Sequence, residues 1–123
     1  MNFGHTIGHA LENISGYGKY LHGEAISIGT VAAAGLSQKI SGLPARDVLR
    51  IENLLQAAGL PVEVKLNPAR RKFFFAAMRH DKKVSGGEIK FVLAKRIGKV
   101  IWGQRVPDEI IHQVLDFRPL TLD

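Results

Sequence analysis

Apolar positions recur with helical spacing along most of this 123-residue chain. Ile7, Ala10, Leu11 and Ile14 follow the i, i+3, i+4, i+7 pattern of a buried stripe and predict a helix from about Gly4 to Ile14. At roughly 100° per residue, His5, His9 and Glu12 fall on the opposite side. Ser15-Gly16-Tyr17-Gly18 ends that helix. The next stretch, His22 to about Ile40, is rich in Ala, Gly, Ile and Val on every side until Gln38-Lys39. A helix apolar all round is usually a central one. Gly29, Ala32, Ala33, Ala34 and Gly35 would let neighbouring helices come close, and Ser41-Gly42-Leu43-Pro44 is a stop signal.

A third helix is predicted from about Ala45 to Ala58, with Val48, Ile51, Leu54, Leu55 and Ala58 inward. Gly59-Leu60-Pro61 fits a left-handed cap followed by a proline stop. Asn67-Pro68 reads as an N-cap with proline in the first helical position, opening a helix to about Arg79. His80 to Gly87 reads as a polar loop. Ile89, Phe91 and Leu93 alternate with Lys90, which suggests a strand; Arg96-Ile97-Gly98 makes a turn, and Lys99 to Gln104 pairs back. Pro107-Asp108 opens a last helix to about Leu115, and Phe117 to Asp123 is expected to fray. The expected fold is mainly α, a single domain of about five helices with one small β-hairpin. Its expected core is Ile7, Leu11, Ile26, Val31, Leu36, Ile51, Leu54, Leu55, Phe91, Ile110 and Val114.

Hydrophobic residues make up 46% of the chain, the globular range, which argues against disorder. There is no cysteine, so a disulfide scaffold and a thiolate metal site are excluded. The net charge of +6 invites nucleic acid as a partner. However, no aromatic-interleaved basic motif occurs, and Phe73-Phe74-Phe75 beside Arg70-Arg71-Lys72 reads better as an amphipathic helix. The charge is assigned instead to a soluble surface with a site for a small anion. Ala25 to Leu36 is too short to span a membrane, and no signal peptide is visible. The expectation is a cytoplasmic chain without a nucleic-acid or membrane partner.

Three of the five histidines fall within the first 22 residues: His5, His9 and His22. Neutral imidazole is the commonest protein metal ligand. His5 and His9, four apart, would sit side by side on a helix and could share one ion. The metalloprotease pattern fails here, because Thr6 stands where its general-base glutamate belongs. His22 with either earlier histidine offers a second pairing, from two elements. Catalytic zinc usually takes three protein ligands, and Glu12 and Glu24 are the internal candidates for the third. For Glu24 a first-turn carboxylate favoured by the helix dipole is the preferred reading. Asp81-Lys82-Lys83 is either a solvated turn or an anion clamp of lysine ammonium groups. His80 and His112 have no local company and read as surface or supporting residues.

Asn-Phe-Gly-His-Thr-Ile-Gly-His-Ala-Leu-Glu, then Tyr-Leu-His-Gly-Glu-Ala-Ile-Ser-Ile-Gly, then Asp-Lys-Lys, then Gly-Glu-Ile-Lys-Phe-Val-Leu occur here in that order. Together they closely resemble the C-terminal half of 3-dehydroquinate synthase, from Asn2 to about Leu115. The resemblance implies the phosphate-eliminating lyase that makes 3-dehydroquinate from 3-deoxy-D-arabino-heptulosonate 7-phosphate in the shikimate pathway, with NAD and a divalent metal, usually zinc, with cobalt as a substitute. It implies that a substrate hydroxyl is transiently oxidised, a neighbouring proton becomes acidic, phosphate leaves, hydride returns and the ring closes. It makes His5 and His22 the metal ligands. His9 becomes a catalytic substrate contact near the leaving phosphate, Asn2 another substrate contact, and one of Lys82 or Lys83 part of the anion site.

The resembled family takes its third metal ligand, a glutamate, and its NAD site from an upstream domain. No glycine-rich nucleotide fingerprint occurs here, and Gly86-Gly87 lies in the wrong context. The expectation is therefore a chain resembling a family member whose NAD-binding half is missing. Alone it should neither bind NAD nor turn over substrate. Its partners would be the sugar phosphate, the missing NAD-binding half and a second copy in a homodimer, since full-length relatives are typically homodimers. The face bearing His5, His9 and His22 should be exposed, and apolar surface there would favour self-association. The alternatives are a domain of a related sugar-phosphate cyclase or metal-dependent polyol dehydrogenase, and a non-catalytic metal-binding helical module.

Overall fold

The computed structural model describes residues 3–15, 21–84 and 90–116. Their order is α1 (His5–Ser15), α2 (His22–Ile40), α3 (Ala45–Ala57), α4 (Pro68–Val84), β1 (Phe91–Arg96), β2 (Lys99–Gln104) and α5 (Asp108–Asp116). The mainly helical fold with one hairpin is the expected one. Asn2, the Gly16–Gly18 stop, Gly86-Gly87, Ile89 and the 117–123 tail lie outside the described residues.

Helix α2 is the axis. Ala25, Ser27, Ile28, Gly29, the run Val31 to Ala34, Leu36 and Ser37 are all buried, so neighbours cover most of its circumference. Helix α1 crosses its first half and closes on α4. Ile7, Ala10 and Leu11 join Ile28, Leu36, Phe74, Met78 and Ile111 in the main core. The crossing is close because both helices present glycine there. A Cβ on Gly29 would collide with the Gly4 carbonyl oxygen and lie 2.8 Å from the Gly8 nitrogen. Gly4 itself has φ +80°, a left-handed conformation that glycine adopts without strain, with Thr30 packed against it.

The caps follow local chemistry. Asn67 Oδ1 accepts the Arg70 N–H at 2.8 Å, with Pro68 first in the helix, as the sequence predicts. Gly59 has φ +80°, and the Gly59 and Leu60 amides donate back to Gln56 and Leu55, closing α3 with a Schellman pattern. Leu21 N–H donates to Glu24 Oε1 at 2.9 Å, so Glu24 is the first-turn carboxylate that caps α2.

Four expectations are corrected. Helix α4 runs to Val84 rather than ending near Arg79, so Lys82 and Lys83 belong to its last turn and not to a loop. No glycine or proline interrupts the sequence between Pro68 and Val84, and lysine is a good helix former whose charge suits a C-terminal turn. Strand β1 is buried at Phe91, Val92, Leu93 and Ala94 alike, so both of its faces are covered and the alternation is absent. Leu54 is 70% exposed. Helix α3 rests on its neighbours through Val48 and Ile51, against Leu43, Ala34 and Ala94, and Leu54 lines an open groove of about 640 Å³ instead. Finally, Phe74, Phe75 and Met78 are among the most buried side chains although absent from the expected core, while Ile26, Ile51, Leu55, Ile110 and Val114 are only half-buried.

Helix α2 also holds the hairpin. Ser37 Oγ donates to Ala33 O and accepts the Ala94 N–H at 2.9 Å; Ser41 Oγ donates to Ala94 O at 2.7 Å. Strands β1 and β2 pair antiparallel, with Leu93 opposite Ile101 and Ala94 opposite Val100.

Candidate functional site

The apolar stripe of α1 faces the core, which leaves its other face to His5, His9 and Glu12. Because α1 crosses the first half of α2 on glycine, the start of α2 is carried to the same place, and His22 is its first residue. The three imidazoles form a triangle. Ring centres are 5.2 Å apart for His5 and His9, and 5.9 Å for both His5–His22 and His9–His22. His5 and His9 are half-buried, while the His22 side chain is 59% exposed. The expected exposure of this face holds for His22, while His5 and His9 are partly covered.

Two contacts orient the rings. His5 Nδ1 lies 3.4 Å from the Phe3 carbonyl oxygen, and His22 Nδ1 lies 2.8 Å from Glu12 Oε1. Both partners are acceptors, so each Nδ1 is the donor, and in the neutral ring each Nε2 keeps its lone pair. Two imidazoles that share zinc through nitrogens about 2.0–2.1 Å from the ion bring their ring centres to roughly 5–6 Å. All three pairs meet that spacing. The nitrogen-rich donor set suits zinc or cobalt.

A second grouping overlaps the first: ligand-capable atoms of His9, Glu12 and His22 lie within 4.8 Å of one another. Proximity thus favours that set, while the orienting contacts favour His5 with His22. In the second grouping Glu12 Oε1 is already engaged by His22 Nδ1. Lys82 and Lys83 sit on the last turn of α4, which packs on α1, but their side chains and Asn2 lie outside the described residues. His112 stacks on Phe75 with ring centres 4.3 Å apart, which gives it a packing role remote in sequence from the triangle. The sequence named Glu12 only as a candidate ligand. Its position on the histidine face was visible, but its pairing with His22 across the α1–α2 connection was not.

The family model described as 3-dehydroquinate synthase C-terminal matches residues 1–84. The chain belongs to that family. It is 42% identical over 116 residues to 3-dehydroquinate synthase of Nitrosomonas europaea, covering 94% of this chain and 31% of the relative. With the enzyme of Opitutus terrae it shares 44% over 110 residues, 89% of this chain and 30% of the relative. It therefore spans about a third of the length of these curated relatives. The solved 2-epi-5-epi-valiolone synthase of Streptomyces hygroscopicus subsp. jinggangensis, with NAD+ and Zn2+ bound, superposes with TM-score 0.78 at 24% identity, over 92% of this chain and 31% of that one. A 2-deoxy-scyllo-inosose synthase complexed with carbaglucose-6-phosphate, NAD+ and Co2+ gives 0.71 at 25% identity, over 93% and 34%. The fold is shared with these two synthases.

Proposed function

We propose that this chain forms the metal- and substrate-binding wall of a cytoplasmic 3-dehydroquinate synthase, the lyase that converts 3-deoxy-D-arabino-heptulosonate 7-phosphate to 3-dehydroquinate and phosphate. The observation that carries the reading is the triangle of His5, His9 and His22, with two Nε2 atoms left free by their orienting contacts, inside the segment that matches the family. His5 and His22 hold the divalent ion. Bound there, the ion supplies Lewis-acid polarisation of a substrate oxygen and orients the substrate. His9, on the same helix face one turn from His5, contacts the substrate near the leaving phosphate and handles a proton there. Asn2 and one of Lys82 or Lys83 contribute polar and cationic contacts to the anion. The third ligand and the NAD site are assigned to the part of the protein that the longer relatives carry beyond the matched segment.

On this reading, the 123 residues alone hold zinc weakly and release no phosphate from the heptulosonate phosphate. Mixing the chain with the separately expressed NAD-binding half of a close relative should restore NAD- and zinc-dependent phosphate release. Turnover by the chain alone would refute the two-part assignment. Metal binding without rescue by any such half would favour the non-catalytic module. The likeness to valiolone and inosose synthases supports a second reading, a cyclase for another sugar phosphate. The higher identity to dehydroquinate synthases makes it the lesser one, and assaying the complemented protein on each substrate separates them.

A further inference from the structure

The geometry points to Glu12 as a positioning residue. Its carboxylate holds the Nδ1–H of His22 and so leaves Nε2 of that ring, whose centre lies 5.9 Å from those of His5 and His9, available to an ion. This rests on the reading of His22 as a metal ligand, and extends it to a residue that the reading leaves without a role.

His22 needs such a partner. It is the first residue of α2 and exposed, so backbone packing does little to fix its ring. The nearest acidic neighbour in sequence, Glu24, is occupied by the Leu21 amide. Glu12, one turn beyond His9 on α1, reaches across the helix crossing to make the 2.8 Å contact. A carboxylate only accepts, so the contact selects the Nδ1–H tautomer of His22. The neutral histidine side chain free in water favours the other tautomer, with the proton on Nε2, which would block ligation at that atom. Histidine ligands commonly donate their other N–H to a carboxylate, which fixes orientation and raises basicity.

The alternative makes Glu12 itself a ligand, with His9 and His22. The two arrangements exclude each other. An ion about 2.0–2.1 Å from His22 Nε2 lies roughly 6–7 Å from an oxygen hydrogen-bonded to Nδ1 of the same ring. For that oxygen and His22 to share an ion, His22 must bind through Nδ1 and lose the hydrogen bond.

The test is nitrogen-15 NMR of the histidine tautomers in the metal-free chain, beside zinc and cobalt titrations of wild type, Glu12→Gln and Glu12→Ala. We expect wild-type His22 as the Nδ1–H tautomer. Glu12→Ala should move it to the Nε2–H form, with His5 and His9 unshifted and helix content unchanged. Zinc affinity should then fall by about 10–100-fold. Glu12→Gln, whose amide oxygen still accepts, should keep the tautomer and most of the affinity. An Nε2–H tautomer in the wild type would overturn the proposal whatever the variants do. So would an unchanged tautomer in Glu12→Ala. Equal loss of affinity and an altered cobalt spectrum in both variants would make Glu12 a ligand instead. A His22→Ala control separates the two levels: unchanged zinc affinity there sinks the ligand reading of His22, while the tautomer result still reports on Glu12.

Discussion

At the scale of single residues, the site depends on one atom that is not there. Gly29 has no Cβ, and a methyl in that place would meet the Gly4 carbonyl and the Gly8 amide, which are backbone and cannot swing away. Forcing extra atoms into a packed contact typically costs about 1–3 kcal/mol. Gly29→Ala should lower the thermal midpoint accordingly and weaken zinc binding, because it parts α1 from the start of α2. An unchanged midpoint would show that the crossing has slack. The histidines themselves were legible in the sequence, since their spacing and neighbours carry the family's motifs. Which partner each ring keeps was not. The His22–Glu12 contact joins residues ten apart across a connection whose path no local pattern reveals.

At the scale of elements, the helices were legible wherever their apolar stripes were regular, and boundaries failed where polarity was mistaken for a loop. Asp81-Lys82-Lys83 is a polar run in the sequence, and a polar loop and a polar helical turn look the same in one dimension. The stripe of α3 misled in a different way. Leu54 stands at the right spacing, but burial depends on what lies opposite, and there the groove is open. The contrast gives a direct measurement. Leu11→Ala, at a fully buried site, should cost about 2–5 kcal/mol. Leu54→Ala should stay within roughly 0.5 kcal/mol in the isolated chain. Comparable losses in chemical denaturation would mean that α3 is covered in solution. The serine anchors of the hairpin were invisible for another reason. Ser37 in an apolar helix reads as a small filler, and the Ala94 amide it receives is 57 positions away.

At the scale of the whole molecule, order and class of elements followed from periodicity, while the way they converge came only with the fold. His5 and His22 lie on different helices, so an ion held between them binds the folded chain and not the unfolded one. At free zinc one hundred times the dissociation constant, that linkage is worth about 2.7 kcal/mol. Zinc should therefore raise the thermal midpoint of the chain and leave a His5→Ala/His22→Ala double variant unmoved. An equal rise in both would place the bound zinc elsewhere, with His9, His80 and His112 as the remaining imidazoles.

The glycine contact between α1 and α2 also bears on how such a site can endure. Its ruler is main chain against main chain, and the spacing of the histidines is set before any side chain is chosen. Ile7, Leu11, Ile28 and Phe74 can exchange volume with one another beneath the crossing without carrying the imidazoles apart. A lineage that keeps the glycines and the histidines is free to rewrite much of its interior. That would permit chains of this fold to hold the same imidazole triangle while the rest of their sequences diverge.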